Sequence, residues 1–171
     1  MTFMELAKAR YSVRSFDPRP IEEEKLAKIL EAGNIAPTAK NSQSQRIYVL
    51  RSEEALEKVR GLTKCHYGAP VVLLIAYDRD VQFKNPFEEG VSSGQQDASI
   101  VATHIMLEAW ELGIGSCWVN LFAPTQTAKA FGLPENEVPV LLLPIGYPAE
   151  DAAPSERHAL VRPLDETVKI L

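Results

Sequence analysis

The chain has 171 residues, of which 46% are hydrophobic and 24% are charged. This length and apolar content suit one full-sized hydrophobic core, so we expect a single domain over residues 1–171. The net charge of -5, from 23 acidic and 18 basic residues, argues against nucleic acid or a membrane surface as the main partner. This balance still allows one small basic pocket.

The cysteine content and the lengths of the apolar runs indicate the cellular compartment of the protein. The spacing of the two cysteines, Cys65 and Cys117, matches no metal or redox motif and implies no disulfide framework. The N-terminus has no signal-type apolar run, and no stretch is long enough to span a membrane. We therefore expect a cytoplasmic protein without a metal site.

The first element predicted is a short helix over residues 2–9, which Thr2 and Glu5 begin with a capping-box pattern. Arg10, Ser12 and Arg14 then fall on alternate positions, and an extended backbone would point all three side chains in one direction. Two guanidinium groups with a hydroxyl between them suit a phosphate or an anion delocalised on a ring. The alternative is an ordinary solvated pair of arginines.

A polar loop follows the second helix, which the apolar spacing predicts from about Ile21 to Ala32. The loop, residues 36–45, is small, polar and rich in amides. By composition alone it reads as an ordinary solvated loop.

The middle of the chain alternates apolar runs with amphipathic ones. The predicted elements are a strand at 47–50, a surface helix at 53–60, a buried strand at 69–77, a loop at 79–94 and a long helix at 95–112. The long helix is apolar around most of its circumference, so it is buried or packs on a partner. Asp97, near its start, is expected to serve as a capping or dipole residue rather than as a catalyst.

Two glycines, Gly113 and Gly115, end this helix and lead into a strand. A dinucleotide-binding fingerprint has the opposite order and a third glycine, so we reject a Rossmann site. A short helix at 124–131 and a buried strand at 138–146 complete the pattern. The alternation predicts an α+β domain of three layers, α/β/α, with a mixed central sheet flanked by helices.

Four segments together resemble the nitroreductase family of flavoproteins. Residues 10–16 resemble its R-x-S-x-R-x-F opening, and residues 113–120 resemble its G-[LI]-G-[ST]-C-W-[IV]-G segment. The polar loop resembles A-P-[ST]-x-x-N-x-Q-P-W but has Ser44 and Gln45 in place of Pro and Trp, and residues 144–148 resemble P-x-G-Y-P. The resemblance implies a nitroreductase-like fold that binds FMN.

The resemblance also implies a role for each matched residue. Arg10 and Ser12 would hold the FMN phosphate and ribityl chain, Arg14 would lie near N1 and the C2 carbonyl, and Gly146 would approach the ring from behind. Arg162 would reach the phosphate from the tail, with Arg157 as the weaker alternative. The other residues implied in cofactor binding are Tyr11, Pro37, Thr38, Ala39, Asn41, Gln43, Trp118, Val119 and Asn120.

The resemblance further implies a homodimer with FMN at the interface and an oxidoreductase that uses NADH or NADPH. Hydride would pass through flavin N5 to nitroaromatic or quinone acceptors in a ping-pong scheme. No catalytic side chain is assigned, since the sequence shows no triad or carboxylate dyad. The alternatives are reductive dehalogenation or oxidative chemistry on the same scaffold, a non-catalytic flavin-binding protein, and a domain without cofactor. Ser44, Gln45 and Asn120 keep the non-catalytic alternative open.

Overall fold

The structure is a computed structural model that describes every residue, Met1–Leu171. Its helices and strands are α1 Phe3–Ala9, α2 Glu23–Asn34, β1 Gln45–Leu50, α3 Glu53–Leu62, β2 Val71–Asp78, α4 Gly94–Glu111, β3 Gly115–Ser116, α5 Pro124–Phe131, β4 Glu137–Gly146 and α6 Leu164–Thr167. Each predicted helix and strand is present, with bounds within about two residues of those expected, which is the usual uncertainty of element ends. Thr2 caps α1, and the predicted capping box with Glu5 is confirmed.

The four strands form one sheet in the order β1-β2-β4-β3. The α+β class is confirmed, and all three ladders of the sheet are antiparallel. A parallel pairing occurs at the isolated bridge between Ser12 and Ser116. The predicted mixed sheet is therefore corrected: the four strands form an antiparallel sheet, and the parallel bridge lies outside them. A helix that connects two strands can bring the chain back so that the second strand runs parallel or antiparallel to the first. Apolar periodicity does not distinguish these two directions.

The two central strands are buried on both faces, which makes the domain three-layered as predicted. Leu73 and Ile75 of β2 belong to the larger apolar cluster with α2 and α4. Val72 and Leu74 point to the opposite face and join the smaller cluster with α3, as alternation along a strand requires. The register of β2 shifts opposite Pro139 of β4, where a bulge accommodates a residue without an N–H.

The long helix α4 is the main element on the larger face of the sheet. Val101 and Ile105 are fully buried, whereas Ile100 is 38% exposed. Helix α2 crosses it at Gly33, where an added Cβ would lie 2.7 Å from Cδ1 of Ile105. The small residue therefore allows α2 and α4 to approach closely.

The tail beyond β4 is largely exposed. Its apolar residues Leu160, Val161, Leu164 and Ile170 are each at least three-quarters exposed. None of the helices combines the length and apolar character needed to cross a bilayer.

Candidate functional site

The segment after α1 is extended and presents alternate side chains to one cavity. The Val13 N–H donates to the carbonyl oxygen of Ser116 at 2.9 Å, and the Val13 side chain is completely buried. The residues on either side of Val13 face the other way. A cavity of about 330 Å³ is lined by Arg10, Tyr11, Ser12, Arg14, Ser155, Arg157 and His158. The structure thus brings together four of the residues predicted to bind FMN.

The C-terminal tail supplies one wall of this cavity. His158 Nε2 lies 3.2 Å from the backbone oxygen of Lys8, and its ring packs edge-on against Tyr11 with 6.2 Å between centroids. These contacts hold the turn at residues 156–159 beside the extended segment and so place Arg157 in the wall. Ser155 and His158 were not predicted as site residues, because no local sequence pattern indicates which part of a polar tail packs against α1.

The cavity is strongly cationic. Arg10, Arg14 and Arg157 have no carboxylate within ion-pair distance, and Arg14 Nη1 donates to the Ser12 backbone oxygen at 3.3 Å. Unpaired guanidinium groups around a concave surface concentrate anions. The donors match a phosphate, and the volume lies within the range of about 300–1,000 Å³ typical of small-molecule sites.

Arg162, which was predicted to reach the phosphate, does not line this cavity. It pairs with Glu166 at 3.3 Å with most of its side chain exposed, and it lines a separate depression in the tail with Val161 and Pro163. Of the two basic residues considered in the tail, Arg157 is the one that lines the cavity.

Strand β3 and the residue that follows it carry a buried hydroxyl and a buried thiol. Ser116 Oγ is buried and has no hydrogen-bond partner in the protein. Cys117 is 3% exposed, and burial raises the pKa of its thiol. The thiol is therefore protonated at neutral pH, as expected for an inert cysteine. Burial and contact with Cys65 also raise the pKa of Tyr67 to about 12.

The predicted ring neighbours follow β3 directly. Val119 is buried, and its N–H donates to the Leu142 oxygen at 2.9 Å. The indole Nε1 of Trp118 donates to Oδ1 of exposed Asn120 at 2.9 Å. Asn120 is not among the residues with positive φ, so it does not take over a glycine-like conformation here. Its amide is instead held by the tryptophan.

Gly146 ends β4 at a point of close backbone approach. An added Cβ would lie 2.8 Å from Cδ of Pro70 and 3.1 Å from Cδ1 of Phe16. The next residue, Tyr147, is fixed by Lys25, which donates to its hydroxyl at 2.8 Å. The glycine is therefore required by packing behind the cavity segment.

The polar loop at residues 37–43 contains the remaining predicted residues: Pro37, Thr38, Ala39, Asn41 and Gln43. None of them lines the arginine cavity. The loop instead packs on the start of α4, where the Ala39 N–H donates to Asp97 Oδ1 at 2.9 Å. Within one chain the loop and the cavity are therefore separate features.

Comparison with known proteins identifies the class to which this fold and site belong. The model of the Nitroreductase family matches residues 7–67 and 63–147. The chain belongs to the nitroreductase family, and it is an oxidoreductase of that type. The resemblance inferred from the four sequence segments is thereby confirmed.

Individual relatives agree with this assignment. A nitroreductase family protein from Clostridium difficile 630 has a structure with a TM-score of 0.92, 40% identity, and coverage of 99% of this chain and 98% of its own. A protein of Methanothermobacter thermautotrophicus, named provisionally as an NADH dehydrogenase/NAD(P)H nitroreductase, is 31% identical over 160 residues, 88% of this chain and 80% of the relative. A provisionally named nitroreductase from Exiguobacterium sibiricum 255-15, solved in complex with FMN, has the same fold, with a TM-score of 0.83, 24% identity, and coverage of 100% and 98%.

Proposed function

We propose that this chain is an FMN-dependent oxidoreductase that takes reducing equivalents from NADH or NADPH and passes them to nitroaromatic or quinone acceptors. The observation that carries the proposal is the cavity beside Ser12, with its three arginines free of carboxylate partners. A cationic cavity of this kind suits an anionic occupant, and FMN, with which the Exiguobacterium sibiricum relative was solved, is an occupant that fits. The whole chain, residues 1–171, would form one FMN-binding domain.

The phosphate end of the cofactor belongs with Arg10, Ser12 and Arg157. Planar guanidinium groups bind phosphate oxygens through paired, charge-assisted hydrogen bonds. Ser12 adds a hydroxyl donor from the same face of the extended segment. Together these groups would determine how long the cofactor is retained.

The ring end belongs with Arg14 and with the turn formed by Trp118, Val119 and Asn120. FMN, when bound, supplies the hydride-transfer chemistry. Arg14 would stabilise negative charge on the reduced ring electrostatically, and the turn would exclude water from one edge. The chain's remaining task is to position the cofactor. The scheme has no dedicated acid-base pair, and donor and acceptor would use one stacking face in turn.

A homodimer would complete each site. The loop at 37–43 lies away from the cavity of its own chain, so we propose that it contacts the cofactor of the partner subunit. The apolar tail residues Leu160, Val161 and Leu164 are exposed in a single chain, and burying them against a second copy would remove that apolar surface from water.

The first test is the visible absorption spectrum of the purified protein, recorded anaerobically before and after NADH or NADPH is added. The proposal predicts a flavin spectrum that bleaches with one donor and recovers when a nitroaromatic or a quinone follows. Flavin that binds but never bleaches would favour a non-catalytic binding protein. A protein that takes up no FMN would refute the proposal.

A further inference from the structure

The loop at residues 37–43 has a conformation that its own sequence does not favour. Lys40, Asn41 and Gln43 have φ values of 53°, 51° and 48°, in the left-handed region that costs non-glycine residues energy. Inside the loop, the Gln43 N–H donates to Thr38 Oγ1 at 3.0 Å. Strained backbone of this kind persists only where its surroundings restrain it, so we expect contacts from outside the loop to add to this internal bond.

Asp97 supplies the restraint at the start of the loop. Its side chain accepts from the Ala39 N–H at 2.9 Å through Oδ1 and from the Ser93 hydroxyl at 2.6 Å through Oδ2. The residue is 2% exposed and has no cation within ion-pair distance. The two donors and the positive end of α4 therefore stabilise the buried charge.

Arg46 supplies the restraint at the far end. Its Nη1 lies 3.3 Å from the Gln43 carbonyl oxygen and 2.9 Å from that of Gln45. The guanidinium is itself held by Asp78 at 2.8 Å and by Glu137 at 3.4 Å. Arg46 is thus fixed from the strand side, so its contact with the loop is made by an immobilised group.

We infer that Asp97 and Arg46 are positioning residues that hold the two ends of the loop and set its conformation for the cofactor. We call this pair the loop clamp. The inference rests on the proposed function, in which the loop contacts FMN. The clamp acts where this chain has Ser44 and Gln45 and therefore lacks the stiffness that a proline would give. Neither clamp residue lines the arginine cavity, so the clamp acts through the loop.

The test compares Asp97→Ala with Asp97→Asn. Alanine removes both bonds, whereas the asparagine oxygen still accepts from the Ala39 N–H and its amide donates to Ser93. We expect Asp97→Ala to raise the Kd for FMN about tenfold or more, and Asp97→Asn to stay within about threefold of the parent. Ser99→Ala, at a partly exposed position of the same helix, is the matched control.

Trypsin cleavage after the exposed Lys40 reports on the loop without any cofactor. In the FMN-free protein, Asp97→Ala should speed cleavage at Lys40 while leaving cleavage unchanged at exposed Lys64, which lies between α3 and β2. Arg46→Lys keeps the charge beside Asp78 but loses the fork that reaches Gln43, so it should also speed cleavage at Lys40. Faster cleavage at both lysines would indicate general destabilisation and would overturn the inference.

The two proposals fail in different ways. If the parent protein binds no FMN, the proposed function fails, while cleavage at Lys40 still decides whether the clamp orders the loop. If the parent binds FMN and Asp97→Ala matches it in both Kd and Lys40 cleavage, the clamp is refuted and the proposed function stands.

Discussion

At the scale of single residues, the site is defined by arginines that lack partners. Seven of the 18 basic side chains of this protein pair with a carboxylate; Arg60, for example, contacts Glu53 and Glu57. Exposed pairs of that kind contribute little to stability, because water and salt screen the charges. What sets the cavity apart is that three unpaired arginines surround one concave surface, and this grouping points to an anionic ligand.

The two arginines of the tail give a matched test of the phosphate site. Arg157 lines the cavity and Arg162 does not, so Arg157→Ala should raise the Kd for FMN about tenfold, the loss typical of a charge-assisted hydrogen bond. Arg162→Ala should change it within about twofold, since it removes only an exposed ion pair. Flavin fluorescence titration measures both. A loss confined to Arg162→Ala would show that this residue reaches the phosphate from the partner subunit.

The lowered pKa of Asp78 leads to a prediction of how the free energy of unfolding changes with pH. Its pKa is lowered, first by the Asp80 backbone N–H, then by the Asn136 amide and by Arg46. A lowered pKa in the folded state stabilises the protein above the unfolded pKa, and this stabilisation is lost as the pH falls through the folded value. In urea unfolding between about pH 6 and pH 2, the parent should lose stability with acid, and Asp78→Asn should be less stable at pH 6 with a flatter acid limb. An unchanged acid limb would exclude Asp78 as its source.

At the scale of elements, helix contacts depend on a few glycines. Gly94 begins α4, and an added Cβ there would lie 2.2 Å from the ring of Tyr77. Gly61 in α3 has nothing within 4 Å of the same position. One glycine is therefore needed for packing, and the other only weakens its helix.

Alanine at these two glycines should change stability in opposite directions. Gly61→Ala should raise the free energy of unfolding by about 0.5–1 kcal/mol, because alanine loses less backbone entropy in a helix. Gly94→Ala should lower it by about 1–3 kcal/mol through overpacking against Tyr77. Urea denaturation of both variants and the parent measures this difference. Equal effects would mean that α4 can shift away from Tyr77 at little cost.

At the scale of the whole molecule, the exposed apolar tail and the separated loop both point to a second copy. Replacing Leu160 and Val161 together by glutamate places two charges on the surface proposed to be buried, which should shift a dimer to monomer. Glu54→Gln on the outer face of α3 is the control and should leave the assembly unchanged. Sedimentation velocity distinguishes the two species. FMN occupancy should fall as the fraction of dimer falls. If the doubly substituted protein is still a dimer, this part of the tail does not lie in the interface.

Part of this structure followed from local sequence patterns. The apolar spacing of α2 and β2 and the capping box at Thr2 act within a few residues, so they predicted the elements closely. The alternation of Arg10, Ser12 and Arg14 predicted a shared face, and the structure places all three around one cavity. Strand direction was harder to predict, because it depends on how the connecting segments return across the sheet.

The sequence by itself determined the layers, the buried strands and the cationic face after α1, since each depends on the side-chain periodicity of one segment. Only the tertiary structure decided that Arg157 rather than Arg162 lines the cavity, that Asp97 accepts from the Ala39 N–H, and that Asp78 and Glu137 hold Arg46. The physical reason is the separation along the chain. Asp97 and Ala39 are 58 positions apart, so their hydrogen bond forms only once α4 has packed onto the sheet and brought its first turn to the loop.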